Sequence, residues 1–137
     1  MTDPSRPAPV AGVDTIVNLP AAAAEVLERA RTSKAGRAAR TLTPGAGAAL
    51  KQSLLALAGG RRLDDHDSPL AATLQVLEGV VRLTGGPDDV ELHVGDHAPI
   101  PPHRHGLQAV EDAVVLLSVA QGRGRASGPL ADAGTDG

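Results

Sequence analysis

The apolar positions of this chain fall into one stretch with helical spacing, followed by a series of short strand-like segments. Ala23, Val26, Leu27 and Ala30 recur at intervals of three and four, while Glu25, Glu28, Arg29 and Arg31 occupy other parts of the wheel. Pro20 suits a first helical turn, Asn18 is a candidate cap and Gly36 a natural stop, so a helix is predicted over 20–34. Ahead of it, the Pro/Ala/Asp-rich residues 1–19 lack periodicity and read as a disordered tail.

Beyond Gly36 the period changes from helical to alternating, and turn signals separate segments of strand length. Arg37–Thr43 and Leu50–Ala58 are closed by Pro44-Gly45 and Gly59-Gly60. Ala71–Leu77 leads through Glu78-Gly79, read as a tight hairpin turn, into Val80–Thr84. In Val90–Val94 the apolar Val90, Leu92 and Val94 alternate with Glu91 and His93, the mark of a strand wet on one side. Leu107–Val110 and Ala113–Ala120 complete the set, and Val114-Val115-Leu116-Leu117 is apolar on both faces, as in a central strand. The predicted organisation is a tail at 1–19, a helical segment at 20–36, a β-domain at 37–121 and a disordered tail at 122–137.

Composition narrows the functional classes. The chain has 137 residues, enough for one compact core, and its 13 basic against 16 acidic residues give a formal net charge of -3. No basic stripe is available to neutralise a phosphate backbone, so nucleic acid is not an expected partner. There is neither an apolar run long enough for a membrane span nor a signal-like N-terminus, and a soluble cytoplasmic protein is the default expectation. Phe, Tyr, Trp and Cys are all absent. That removes stacking platforms, cation cages, disulfides and thiolate chemistry, and it leaves a core built from Val, Leu, Ile and Ala.

Two blocks carry the candidate chemistry: Gly60-x5-His66-x-Ser68-x3-Ala72-x6-Gly79 and, fifteen residues later, Gly95-x5-Pro101-x-His103-x-His105-Gly106. Their glycine frames resemble the two motifs of the cupin superfamily, whose first motif is usually G-x5-H-x-H-x3or4-E-x6-G and second G-x5-P-x-G-x2-H-x3-N. Gly60, His66, Gly79, Gly95 and Pro101 match at the family's spacing, and Leu74 to Gly79 and Gly95 to Pro102 resemble two of its common segments. The resemblance covers about residues 49–120 and is nearest to small single-domain bacterial cupins of unassigned activity. It implies an all-β fold, a double-stranded β-helix (jelly-roll) forming a small barrel, here with one N-terminal α-helix.

The family's ligands are mostly replaced. Ser68 stands where the second histidine of the motif belongs and Ala72 where the glutamate belongs. The second-motif histidine would fall on Gly106, with His105 one place early, His103 in a glycine slot and Val110 in the asparagine slot. By this resemblance His66, His105 and His103 are the candidate metal ligands, for iron, manganese, nickel or zinc, with Asp65, Asp67 and His97 as supplements. The ordinary readings are a solvated turn histidine at 66, a half-buried histidine at 105 and an exposed loop residue at 103. His93 is expected in solvent.

Positions 72, 74 and 76 share parity with His66 and Ser68, so Ala72, Leu74 and Val76 are expected to face inward. The candidate ligand-binding set is therefore His66, Ser68, Leu74, Val76 and His105, polar only at its mouth. No nucleophile elbow, phosphate loop or H-E-x-x-H is present. The expected function is a non-catalytic small-molecule-binding or sensory module with a degenerate metal site and no assigned catalytic residue. The alternatives are a mononuclear metal-dependent oxygenase or isomerase using His66 and His105, and a purely structural dimerisation domain. A homodimer is expected because a second copy commonly covers exposed strand edges.

Overall fold

The computed structural model describes residues 16–43, 49–66, 71–100 and 105–120, of which 64–66 by their backbone. The expected C-terminal tail, most of the N-terminal one, and the candidate site residues Ser68 and His103 lie outside the described residues. Among the described residues one helix precedes nine strands: α1 (Leu19–Thr32), β1 (Arg37–Thr41), β2 (Leu50–Leu57), β3 (Arg62–His66), β4 (Ala72–Glu78), β5 (Val80–Thr84), β6 (Val90–His93), β7 (His97–Pro99), β8 (His105–Ala109) and β9 (Ala113–Ala120). They form a five-stranded sheet ordered β1-β2-β9-β4-β7 and a four-stranded sheet ordered β3-β8-β5-β6, with every pairing antiparallel. The expected all-β class with one N-terminal helix holds.

Alternation along β2 and β9 creates two cores. Leu57 and Val115 face the four-stranded sheet and join Leu74, Val76, Val81, Leu83 and Leu107 in the barrel cluster. Their neighbours Leu54, Ala56 and Val114 face the other way, against Ala22, Ala23, Val26, Leu27 and Ala30 of α1. β9 is thus buried on both sides, as its doubly apolar sequence implies. Three alanines on the buried helix stripe keep α1 close to the sheet without aromatic filling.

α1 begins where capping chemistry dictates. The Asn18 side chain accepts the Ala21 N–H at 2.9 Å, and a proline occupies the first turn. Arg29 and Arg31 lie in the last turn, where the helix dipole favours cations. The helix stops at Thr32, earlier than expected, with Ser33 as C-cap; Gly36, at φ +70°, instead makes the following turn into β1. Val17 and Leu19, expected within the tail, pack against the helix cluster.

Several expectations about the strands need correcting. Glu78-Gly79 is no hairpin: β4 pairs with β7 and β9, β5 with β6 and β8, so the corner carries the chain between sheets. β3 and β7 are additional strands. Arg62–His66 is too polar to show an apolar alternation, yet its backbone pairs with β8. β7 is three residues long and ends in Pro99, which is tolerated because β7 is a sheet edge. On β6 only Leu92 is buried, and Val90 and Val94 are exposed, because β6 is the edge of its sheet.

One polar knot ties three distant segments together. Arg31 Nε donates to Asp112 Oδ2 at 2.8 Å, and the Gly59 N–H donates to Asp112 Oδ1 at 2.7 Å. The Gly59 N–H, followed by the Arg31 guanidinium, holds the Asp112 carboxyl below its ordinary value. A depressed carboxylate stabilises the fold above its unfolded value near ~3.9 and loses that contribution as pH falls through its folded value. With this carboxylate 39% exposed, the effect is moderated by solvent. Asp112→Ala is expected to lower the melting temperature at pH 7 by about 2–6 °C. Thermal melts of wild type and Asp112→Asn should converge below about pH 4; a gap that stays constant from pH 7 to 3 would contradict the charge assignment.

Candidate functional site

Between the inner faces of the two sheets lies a partly open cavity of about 80 Å³. Leu55, Leu74 and Val115 wall it from the five-stranded sheet, and Leu63, Leu83 and Leu107 from the four-stranded one. The latter three form one continuous cross-strand row, Leu63 opposite Leu107 and Leu107 opposite Leu83. Ala72 and Ile100 contribute further apolar wall, together with the imidazole of His105.

His105 opens β8 and is 5% exposed, the one buried polar residue among those described. Its inward position follows from alternation with Leu107 and Ala109, both buried in the barrel core. The sequence leaves the direction of this side chain open, because a one-residue offset in a strand reverses it. Alternation along β8 settles it, and a bulge in β3 sets which residue lies opposite. β3 pairs Leu63 with Leu107 but His66 with His105, so Asp64 and Asp65 together span the place of the single residue Gly106. The bulge puts the backbones of His66 and His105 opposite each other across the paired strands.

The other candidates distribute unevenly. Leu74 lines the cavity, whereas Val76 belongs to the same barrel cluster without reaching the cavity wall. His93 is exposed, as expected, with its Nε2 at 3.4 Å from Glu91 and its backbone N–H donating to Asp96 at 2.8 Å. His97 is exposed on the edge strand β7 and takes no part in the cavity wall. The wall residues Leu55, Leu63, Leu83, Leu107 and Val115 escape the sequence reading, which follows parity along β4 only. Alternation in β5 and β9 carries the signal for Leu83 and Val115.

No protein-family model and no curated protein matches this chain. Among solved structures, a cupin-2 domain protein from Shewanella frigidimarina aligns with a TM-score of 0.59, 14% identity, 79% of this chain and 97% of that one. An RmlC-like cupin from Desulfovibrio desulfuricans aligns at 0.52 and 25% identity over 61% of this chain and 81% of that one. A conserved Streptococcus pyogenes protein of unknown function aligns at 0.58 and 26% identity, covering 65% and 77%. The chain has the cupin fold.

A cupin fold implies a metal, and the donor set tests that. Among the described residues no three histidine, aspartate or glutamate side chains come together as metal ligands. Ala72, in the glutamate position of the motif, puts a methyl group on the cavity wall where a carboxylate would be needed. The described part of this chain does not fit a mononuclear metal centre, and no chemical step is derived through one. No helix among the described residues is long and apolar enough to cross a membrane.

Proposed function

We propose that this cupin is a non-catalytic small-molecule-binding or sensory module, whose ligand lies in the barrel cavity against His105. The observation that carries the reading is one buried imidazole in the wall of an otherwise aliphatic cavity. Ligand sites are largely apolar enclosures with a few placed polar groups, which this arrangement matches. His66 is proposed as the neighbouring polar group, because its backbone is paired with that of His105. Its setting, on this reading, is the cytoplasm, as a homodimer in which a second copy covers an exposed strand edge.

Catalysis is not proposed, since Ala72 removes the obvious general base and the third metal donor is missing among the described residues. The test is native mass spectrometry and metal analysis of the full chain purified without chelator, alongside His66→Ala and His105→Ala. The expected result is a folded protein with substoichiometric metal, holding a small organic molecule that His105→Ala releases. Near-stoichiometric iron, manganese, nickel or zinc, lost in both variants, would overturn the reading in favour of a metal enzyme.

A further inference from the structure

We infer that the cavity takes a neutral aliphatic molecule of roughly four to six non-hydrogen atoms and rejects ionised molecules of the same shape, a ligand class that deepens the binding function proposed above. The size follows from the volume of about 80 Å³. That space exceeds what one water needs, but an ordered water requires two to four polar partners. Among the described residues the wall offers a single imidazole, and every other contributor is Leu, Ile, Val or Ala. The described wall thus gives a water too few partners to hold it well, and its aliphatic lining offers packing surface to a small apolar molecule.

Charge selectivity follows from the same wall. None of the described lining residues is Lys, Arg, Asp or Glu. A carboxylate or ammonium entering here would give up hydration with no Lys, Arg, Asp or Glu among the described lining residues to pair with, which is unfavourable. A hydroxyl or carbonyl group loses far less, and among the described residues the imidazole end of the cavity is where such a group meets a polar surface. Shape adds a second filter. The walls are set by Leu74, Leu83 and Leu107, and the chain has no aromatic side chain on which a ring could stack. A branched or short linear carbon skeleton fits these contours.

The experiment compares three probes of one skeleton on the full chain carrying ¹³C-labelled methyl groups: isobutanol, isobutyrate and isobutylamine at pH 7, with xenon as a neutral reference. Isobutanol is expected to shift the methyls of Leu74, Leu83 and Leu107 saturably, with a dissociation constant of roughly 0.1–10 mM, the range open to so small a ligand. Isobutyrate and isobutylamine are expected to bind at least ~100-fold more weakly, showing no saturation where isobutanol saturates. Equal or tighter binding of either ionised probe would overturn the inference. Shifts from xenon without any from isobutanol would also overturn it while leaving a ligand cavity in place. Silence from both would sink the binding function itself. Ala72→Ile, which adds bulk to the cavity wall, is expected to abolish the isobutanol shifts. Their persistence in a folded variant would place the compound elsewhere and contradict the inference, and the charge comparison on the unsubstituted chain stands should that variant not fold.

Discussion

Gly79→Ala is expected to destabilise the protein by about 3 kcal/mol or more, enough to lower the melting temperature by at least roughly 12 °C. Two independent costs add at this corner. Gly79 has φ +76°, a region in which a β-carbon is penalised by about 1–2 kcal/mol. A β-carbon there would also lie against the Asp112 carbonyl oxygen and within 2.8 Å of the Ala113 Cα. The clash is with backbone, so no rotamer relieves it. Nor can the obstructing segment easily retreat, since Asp112 is anchored to Arg31 and to the Gly59 N–H, and Ala113 begins the central strand β9. Gly60→Ala is the control: its φ is +89°, yet nothing lies within 4 Å of the added methyl, so only the conformational penalty applies. Chemical denaturation of both variants reads the difference directly. Equal losses would mean that the corner does not pack as described.

Leu74→Ala is expected to cost 2–5 kcal/mol, the range observed for aliphatic truncation in a tight core. Leu74 is 2% exposed, faces Leu117 across β9 and Ala98 across β7, and walls the cavity. The value should fall in the upper part of that range, because the lost side chain enlarges a void already present and the flanking strands cannot collapse into it independently. Denaturant titration gives the number. A loss below about 1 kcal/mol would indicate a loosely filled barrel and remove the cavity from consideration.

Much of the architecture was legible because local pattern and tertiary demand agree. β5 and β9 occupy the segments read from alternation and turn residues, and Val114 with Val115 shows why both faces of β9 are apolar: one meets the helix, the other the barrel. The helix start was legible from Asn18 and Pro20 for a chemical reason, the need to satisfy free N–H groups. The failures have physical causes too. β3 is held by backbone pairing despite Asp64 and Asp65, and a polar pentapeptide carries no apolar period. The Glu78-Gly79 corner has the composition of a hairpin, but the approach of the Asp112–Ala113 backbone directs the chain into the other sheet.

The site was readable only in part. Leu74 as an inward residue follows from parity, whereas the pairing of His105 with His66 depends on the bulge between Leu63 and His66. A bulge needs two strands to define it, and one of them was invisible in the pattern. The cavity wall spreads over both sheets, so its residues share no motif; they share only an inward face.

The most direct measurement is a nuclear Overhauser spectrum of the full chain in solution, observing the His105 ring protons. Contacts to the methyl groups of cavity residues, Leu74 and Leu83 among them, are predicted, because His105 is 5% exposed and lines the same enclosure. Ring protons that exchange magnetisation with water and show none of those contacts would place the imidazole outside the barrel and contradict the account.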